Sequence, residues 1–481
     1  MSIAEGTEPR AVAANQSLIA RIAVRSCAFS ERWVPDPFAV VVVVVAVVAI
    51  AALGIGASPV AVAKTFGDGF WSLIPFTMQM TFIVIGGYVT ADSPPVQKLI
   101  KRLAAIPTSG RGAIMMVGLF GMTLSLVHWG FSLVFASLLV RALAQRSDLR
   151  MDYRAAGAAA YLGLGSVWAL GLSSSAAQLQ ANPASMPASL VQVTGVIPFE
   201  QTIFLWQSLA LAAILIAVSA WTSWATAPTG AQVRTAKDMG IDVHEVRAPE
   251  LARTRPGEWL EYSPVVTVFV GALALTWIIE QLTRNTVFGF IANLNTYNFV
   301  FLMMGLMLHW RPRRFLDSTA RSMSSVTGIL IQFPMLGAIS MMMTGARNGE
   351  GESLSEALAK VFAAIASSET FALVVGLYSA FLGLLIPSGG GKWIIEAPYV
   401  MAAANEVQYH LGWVVQIYNA AEALPNLINP TWMLPVLGIL ALRARDLIGF
   451  TFIQFMVNFP IVLFLLWLFG MTLDYTPPVM P

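Results

Sequence analysis

Residues 369–407 read ETFALVVGLYSAFLGLLIPSGGGKWIIEAPYVMAAANEV. Two apolar arms flank Pro387, Ser388 and three consecutive glycines before Lys392; glycine and proline are poor helix interior, so the helix breaks there. Glu350, Glu352, Glu356 and Glu369 precede the stretch, Glu406 and His410 follow it, and neither side carries a basic cluster. The pattern predicts a re-entrant helical hairpin that enters from the non-cytoplasmic side.

Residues 112–143 read GAIMMVGLFGMTLSLVHWGFSLVFASLLVRAL. As one helix it would be about 48 Å long, against a hydrocarbon core of about 30 Å. Lys98, Lys101, Arg102 and Arg111 precede it and Arg141, Arg146, Arg150 and Arg154 follow it, so both ends read as cytoplasmic. A second hairpin, with its tip near His128, Trp129 and Gly130, satisfies both facts. Each hairpin is followed by an interrupted apolar helix. The first, 155–180, is broken at Gly171, Ser173, Ser174 and Ser175 before Asn182 and Pro183; the second, 412–442, is broken at Pro425, Asn426, Asn429 and Pro430.

The composition agrees with a membrane setting. Of 481 residues, 57% are hydrophobic and 11% charged, where a soluble domain carries about 25% charge, and the mean hydropathy is +0.70. Simple apolar spans are expected at 38–57, 70–90, 200–226, 263–283, 322–346 and 447–470, with a shorter one at 296–310. The formal net charge of +2 argues against a nucleic-acid partner, the single Cys27 cannot form an internal disulfide, and the N-terminal layout is not that of a cleaved signal peptide.

Threading these elements gives an all-α polytopic membrane protein of about nine spans plus two hairpins. The N-terminus is inside and the C-terminus outside. Of the 28 Lys and Arg, all but Lys64, Arg284, Arg347, Lys360 and Lys392 then fall in cytoplasmic segments. The expected organisation is a cytoplasmic tail (1–37), a first membrane repeat (38–226), a cytoplasmic connector with a linker span (227–294), a second repeat (295–470) and a C-terminal tail (471–481). The repeats run in opposite orientation through the same order of elements, each with a hairpin and a discontinuous helix. Inverted repeats whose broken helices meet near the midplane are the plan of secondary transporters.

Non-helical backbone at membrane depth is tolerated only where it is buried in protein or lines a polar cavity. Four breaks therefore imply one shared cavity. A helix N-terminus offers free N–H groups and partial positive charge, which suits a carboxylate. Ser388, Gly389, Gly390 and Gly391 are read as that cradle, with Ser173, Ser174 and Ser175 adding hydroxyls. Trp129 and Trp393, with Phe131 and Trp432, would wall an apolar tail, and His128 and Gly130 complete the hairpin tip. Glu422, Asn426 and Asn429 are read as the ion-coupling group. Competing readings stand beside these: glycines for close packing, serines bonding their own backbone, a satisfied core histidine, interfacial tryptophan anchors. Lys392 and Glu396, four apart, either pair with each other or meet substrate. His128, His244, His309 and His410 make no metal motif, no cofactor signature is present, and a membrane-embedded enzyme is the distant alternative.

RWVPDPF (32–38), GDGFW (67–71), FTMQM (76–80), HWGFSLV (128–134), GILIQFP (328–334), IPSGGGKWIIEAPYV (386–400) and NPTWMLPVLGILALRARDLIGF (429–450) resemble the short-chain fatty acid transporter family across nearly the whole chain. The resemblance implies uptake of small monocarboxylates such as butyrate or acetoacetate across the bacterial inner membrane. It also implies membership of the ion transporter superfamily, whose members often move by an elevator motion and are often homodimers. The family pattern has a histidine after the glycines and a neutral amide four residues on; this chain has Lys392 and Glu396 instead. Coupling to H⁺ or to Na⁺ is left open, as are a C4-dicarboxylate carrier and a channel-like facilitator.

Overall fold

The computed structural model describes residues 37–243, 255–285, 287–323, 326–429 and 431–480. The N-terminal tail before residue 37, His244 and Pro430 lie outside the described residues.

The described chain is helical throughout, with two isolated β-bridges and no strand. Among the described residues, seven helices are long and apolar enough to cross a membrane, and shorter apolar helices cover Val41–Gly54, Trp129–Ala144 and Phe371–Leu384. Burial sorts them. The apolar window in Tyr153–Ala181 is 89% buried, whereas that in Pro264–Arg284 is 17% buried and turns Val265, Phe269 and Leu273 outward. The first sits at the centre of the protein. The second is peripheral and packs chiefly on Leu294–His309.

Boundaries shift from the sequence expectation where polar residues diluted the hydropathy. The span expected at 70–90 begins a dozen residues earlier: Ser58 accepts a hydrogen bond from the Ala61 amide, Pro59 occupies the first turn, and the helix runs through Lys64 and Asp68 to a bend at Leu73. The one expected at 322–346 is the apolar helix Thr327–Gly345, and an amphipathic helix, Pro312–Ser322, lies ahead of it.

The packing partners of the two halves correspond. Pro37–Gly54 lies against Thr327–Gly345, and Leu294–His309 lies against Ile74–Ala91. The first arm of the first hairpin, Gly110–Val127, packs on Tyr153–Leu162, as Phe371–Leu385 packs on Leu411–Ala423. The second arms, Trp129–Ala144 and Gly389–Glu406, lie against Pro94–Ala104 and Leu354–Ile365 respectively. Trp206–Thr226 and Ala444–Gly470 pack together through a buried polar ladder in which Gln454 Nε2 donates to the Ser219 carbonyl (2.9 Å) and Ser223 Oγ (3.0 Å), and Asn458 Nδ2 donates to Ser219 Oγ (3.0 Å). Side-chain hydrogen bonds of this kind hold helices together where lipid offers no hydrophobic drive.

Candidate functional site

Phe371–Leu385 ends where the Ile386 amide donates to the Leu382 carbonyl, and after an extended Ser388 the chain restarts as Gly389–Glu406. Each glycine of the triplet is closely approached. A Cβ on Gly389 would strike the Trp168 ring, one on Gly390 would lie 2.6 Å from Phe76 Cζ, and one on Gly391 would strike Leu336. Glycine is required here by convergence of elements rather than by unusual dihedrals. Ser388 does not cap the new helix, so the first-turn amides keep their donors directed past the break. The buried Ser388 Oγ has no hydrogen-bond partner.

The first hairpin turns at His128 as expected, yet the imidazole faces away from this break. Its Nδ1 accepts from the Phe131 amide (3.2 Å), capping the second arm, and its ring stacks on Tyr297 at 5.5 Å and lies 4.2 Å from Phe301. Tyr297 donates its hydroxyl to the Val127 carbonyl at the end of the first arm. Gly130 faces Ile83 of the neighbouring span. Among the residues expected at this tip, only Trp129 reaches the central cavity.

The first broken helix passes from Tyr153–Leu162 through a π-turn (Gly163–Val167) and a 3₁₀ turn (Trp168–Leu170) to an extended Gly171, then resumes at Ser175–Ala181. Ser173 is committed to the hairpin: its amide donates to the Leu126 carbonyl (3.2 Å) and its Oγ accepts from the Trp129 amide (2.9 Å). Ser174 Oγ accepts from the Ala177 amide (3.0 Å) and donates to Asn419 Oδ1 (3.0 Å). Of the three serines only Ser175 lines the cavity. Gly171 makes this junction possible, because a Cβ there would lie 2.8 Å from Leu126 Cα. Overpacking of a buried contact costs about 1–3 kcal/mol, so Gly171→Ala is expected to lower the thermal unfolding midpoint in detergent by several degrees and to pull Trp129 out of register; an unchanged midpoint would contradict the tight junction.

The second broken helix, Leu411–Ala423, continues as a 3₁₀ turn at Leu424–Leu427. Glu422 sits just before the break, 1% exposed, with Oε2 unpartnered. Asn426 accepts at its carbonyl from the Tyr161 hydroxyl (3.1 Å) while its Oδ1 has no partner. Asn429 Nδ2 reaches toward the Leu384 carbonyl of the hairpin arm at 3.4 Å and does not line the cavity. Trp432 Nε1 donates to the Pro387 carbonyl (2.6 Å), fixing the second hairpin to this helix.

These elements line one shared, narrow cavity. One side is aromatic: Trp129 stands edge-on to Trp168 (6.4 Å) and to Trp432 (5.7 Å). Leu164, Met80, Ile329 and Phe333 add apolar wall, and Ser388, Gly389, Gly390, Glu422, Asn426 and Ser175 supply the polar lining. Four lining polar atoms are buried without hydrogen-bond partners: Trp168 Nε1, Ser388 Oγ, Glu422 Oε2 and Asn426 Oδ1. A buried polar group left unpaired costs about 1–3 kcal/mol. Their convergence on one cavity marks a place where a polar ligand supplies the missing partners.

Lys392 and Glu396, expected either to pair or to meet substrate, pair. Lys392 Nζ donates to Glu396 Oε2 (3.0 Å) and to the Ser379 carbonyl (3.0 Å) and lies 4.2 Å from the Tyr418 ring centroid; Ser379 Oγ donates to Glu396 Oε1. Both are fully buried and neither lines the cavity. Trp393 packs on Tyr418 at 4.6 Å, away from the cavity, and Gly391 faces Leu336. Among the described residues no group of three or more His, Cys, Asp or Glu is placed to hold a metal.

Sequence reasoning missed Met80, Leu164, Trp168, Ile329 and Phe333. Trp168 carried a signal, a tryptophan at mid-span between Gly165 and Gly171 rather than at an interface. Ile329 and Phe333 are four apart on one helix face, yet their helix is apolar on every side, so nothing distinguished that face.

A family model described as short chain fatty acid transporter matches residues 18–469. A relative from Escherichia coli (strain K12), provisionally named a short-chain fatty acid transporter, is 30% identical over 435 residues, covering 90% of this chain and 96% of its own length. One from Haemophilus influenzae (strain ATCC 51907 / DSM 11121 / KW20 / Rd), under the same name, is 28% identical over 455 residues, covering 92% and 98%. The structure of Neisseria gonorrhoeae MtrF, reported as illuminating a class of antimetabolite efflux pumps, aligns with a TM-score of 0.59 at 14% identity, over 95% of this chain and 100% of that one. The Alcanivorax borkumensis YdaH transporter, reported to have an unusual topology, aligns at 0.57 and 14%, over 91% and 98%. At such identity the likeness is one of fold alone, an all-helical polytopic architecture.

Proposed function

Because the chain belongs to the short chain fatty acid transporter family, it is a multi-pass membrane transporter rather than an enzyme, and we propose that it imports small monocarboxylates such as butyrate or acetoacetate. The observation that carries this reading is the uncapped helix start at Gly389, with the unpartnered Ser388 Oγ, opening onto a tryptophan-walled cavity. The polar lining at this break would meet the carboxylate, and the indole and hydrocarbon lining a short tail. A C4-dicarboxylate fits less well, since its second charge would face indole and hydrocarbon.

The correspondence of packing partners between the halves supports inverted repeats, divided at 38–226 and 295–470 with the linker span between them. Twenty-three cytoplasmic Lys and Arg, of 28 in the chain, support an N-terminus inside the cell and a place in the bacterial inner membrane. Secondary active uptake, coupled to H⁺ or Na⁺, follows from moving an anion against a negative-inside potential, which costs about 2.3 kcal/mol per 100 mV.

Purified protein in liposomes is expected to take up labelled butyrate saturably, faster than protein-free vesicles, with competition by acetoacetate and little by succinate. Preferential competition by succinate would move the assignment to dicarboxylates. Ser388→Ala is expected to raise KM about tenfold, the effect of roughly 1.4 kcal/mol from one hydrogen bond to a charged group.

A further inference from the structure

Glu422 is the one ionisable side chain on the cavity wall among the described residues. The nearest buried cation, Lys392, attracts Glu422 only at a distance and forms no ion pair with it, because Lys392 Nζ is hydrogen-bonded to Glu396 and the Ser379 carbonyl and lies over the face of Tyr418. The other titratable groups facing Glu422 are Tyr418 on its own helix, Tyr161 on the first broken helix and Glu396 on the hairpin arm. None is a cation. An ionised Glu422 is therefore a buried, unpaired charge, whereas its protonated form carries no such desolvation cost and gains an O–H donor.

The position of that donor matters. Glu422 Oε2 lies 3.5 Å from the point where a Cβ on Gly389 would stand, beside the free amides that begin the Gly389–Glu406 helix. A carboxylate seated on those amides and Ser388 Oγ comes within a few ångströms of Glu422. Two carboxyl groups so close cannot both be ionised. Binding of the anion thus requires one proton on the pair. A hard cation such as Na⁺ would need about six oxygen ligands, by analogy with other hard cations. The unpartnered side-chain oxygens on this wall are Ser388 Oγ, Glu422 Oε2 and Asn426 Oδ1, and the rest of the wall is largely indole and hydrocarbon.

We propose that Glu422 carries the coupling proton and shares it with the substrate carboxylate, so that one H⁺ crosses with each monocarboxylate and Na⁺ takes no part. The proton is taken from water on the outer side, held as Glu422 O–H···⁻O–C of the substrate, and returned to water on the inner side when the substrate leaves. The cycle moves no net charge. This rests on the monocarboxylate reading above, and the test separates the two.

Proteoliposomes holding the full chain are given labelled butyrate, with protein-free vesicles as the baseline, and saturable butyrate binding to the detergent-purified protein is measured in parallel. Absence of binding would defeat the monocarboxylate reading itself. With binding present, proton coupling predicts initial uptake that rises severalfold with an acidic outside, is unchanged when choline replaces Na⁺, and evokes lumenal acidification above baseline without an electrogenic current. Na⁺-dependent uptake, or an inward current, would overturn the proposal. Glu422→Gln keeps the volume and a donor but no titratable proton; its remaining uptake is expected to have lost its response to the proton gradient. A Glu422→Gln protein still driven by that gradient would refute the assignment. Should that variant fail to fold, the wild-type ion replacement and lumenal pH measurements decide alone.

Discussion

Lys392→Met and Glu396→Gln, each made alone, are expected to destabilise the protein by about 3–5 kcal/mol, because each leaves its partner as an uncompensated buried charge. The two side chains are fully buried and 3.0 Å apart. The loss is larger than that of one contact. The pair is also a clasp across the second hairpin, since Ser379, which bonds both members, belongs to the Phe371–Leu385 arm, while Lys392 and Glu396 belong to the Gly389–Glu406 arm. Few other ties join these arms; one is the hydrogen bond between the Tyr378 and Tyr399 hydroxyls at 2.8 Å. The double variant Lys392→His/Glu396→Gln restores the histidine and amide that the family resemblance implies, and removes both charges together. Replacing a whole buried pair is often neutral or stabilising, so the double variant is expected to unfold near the wild-type temperature and to transport, while the single variants express poorly and melt well below it. Single variants with wild-type stability, or a double variant no better than either, would mean that the charges do not hold the hairpin.

The elements that break were legible in the sequence, and the faces they present were not. Three glycines after Pro387, the His128–Gly130 tip between two basic clusters, and polar residues inside apolar helices each mark backbone that lipid would not tolerate. Those signals are local, and the structure has a break at each one. Orientation is carried by periodicity, and periodicity needs a polar side. Every residue of Leu411–Ala423 is buried, so its pattern cannot tell Glu422, on the cavity, from Asn419, hydrogen-bonded to Ser174. The same blindness explains why His128, Ser173, Ser174 and Trp393 read as equals of Trp129, Ser175 and Ser388. His128 Nδ1 is spent on a cap and the two serines on neighbouring groups, Trp393 is packed on Tyr418, none of the four lines the cavity, and only three-dimensional neighbours reveal it. Pro59–Ser72 was hidden for the opposite reason. Lys64 and Asp68 lowered its hydropathy, although Ser58 and Pro59 gave a plain start signal.

Gly390→Ala sets two effects against each other, and their magnitudes decide the outcome. In a helix, alanine is favoured over glycine by about 0.5–1 kcal/mol. The new methyl, however, would stand 2.6 Å from Phe76 Cζ and 3.0 Å from Ser175 Cβ, and overpacking of this kind costs about 1–3 kcal/mol. The steric term wins. Phe76 is 1% exposed and stacks on Phe333 at 5.7 Å, and Phe333 forms part of the cavity wall. Strain at Gly390 is therefore delivered to the site, not dispersed into lipid. Transport efficiency is expected to fall about tenfold or more, at roughly 1.4 kcal/mol per decade, with a smaller loss of thermal stability. Phe76→Leu removes the ring that the methyl meets. Combined with Gly390→Ala it is expected to recover most of the efficiency, giving a coupling energy of about 1 kcal/mol or more in a double-mutant cycle. Strict additivity of the two substitutions would show that the glycine serves the backbone alone, and that the approach of Phe76 places no demand on it.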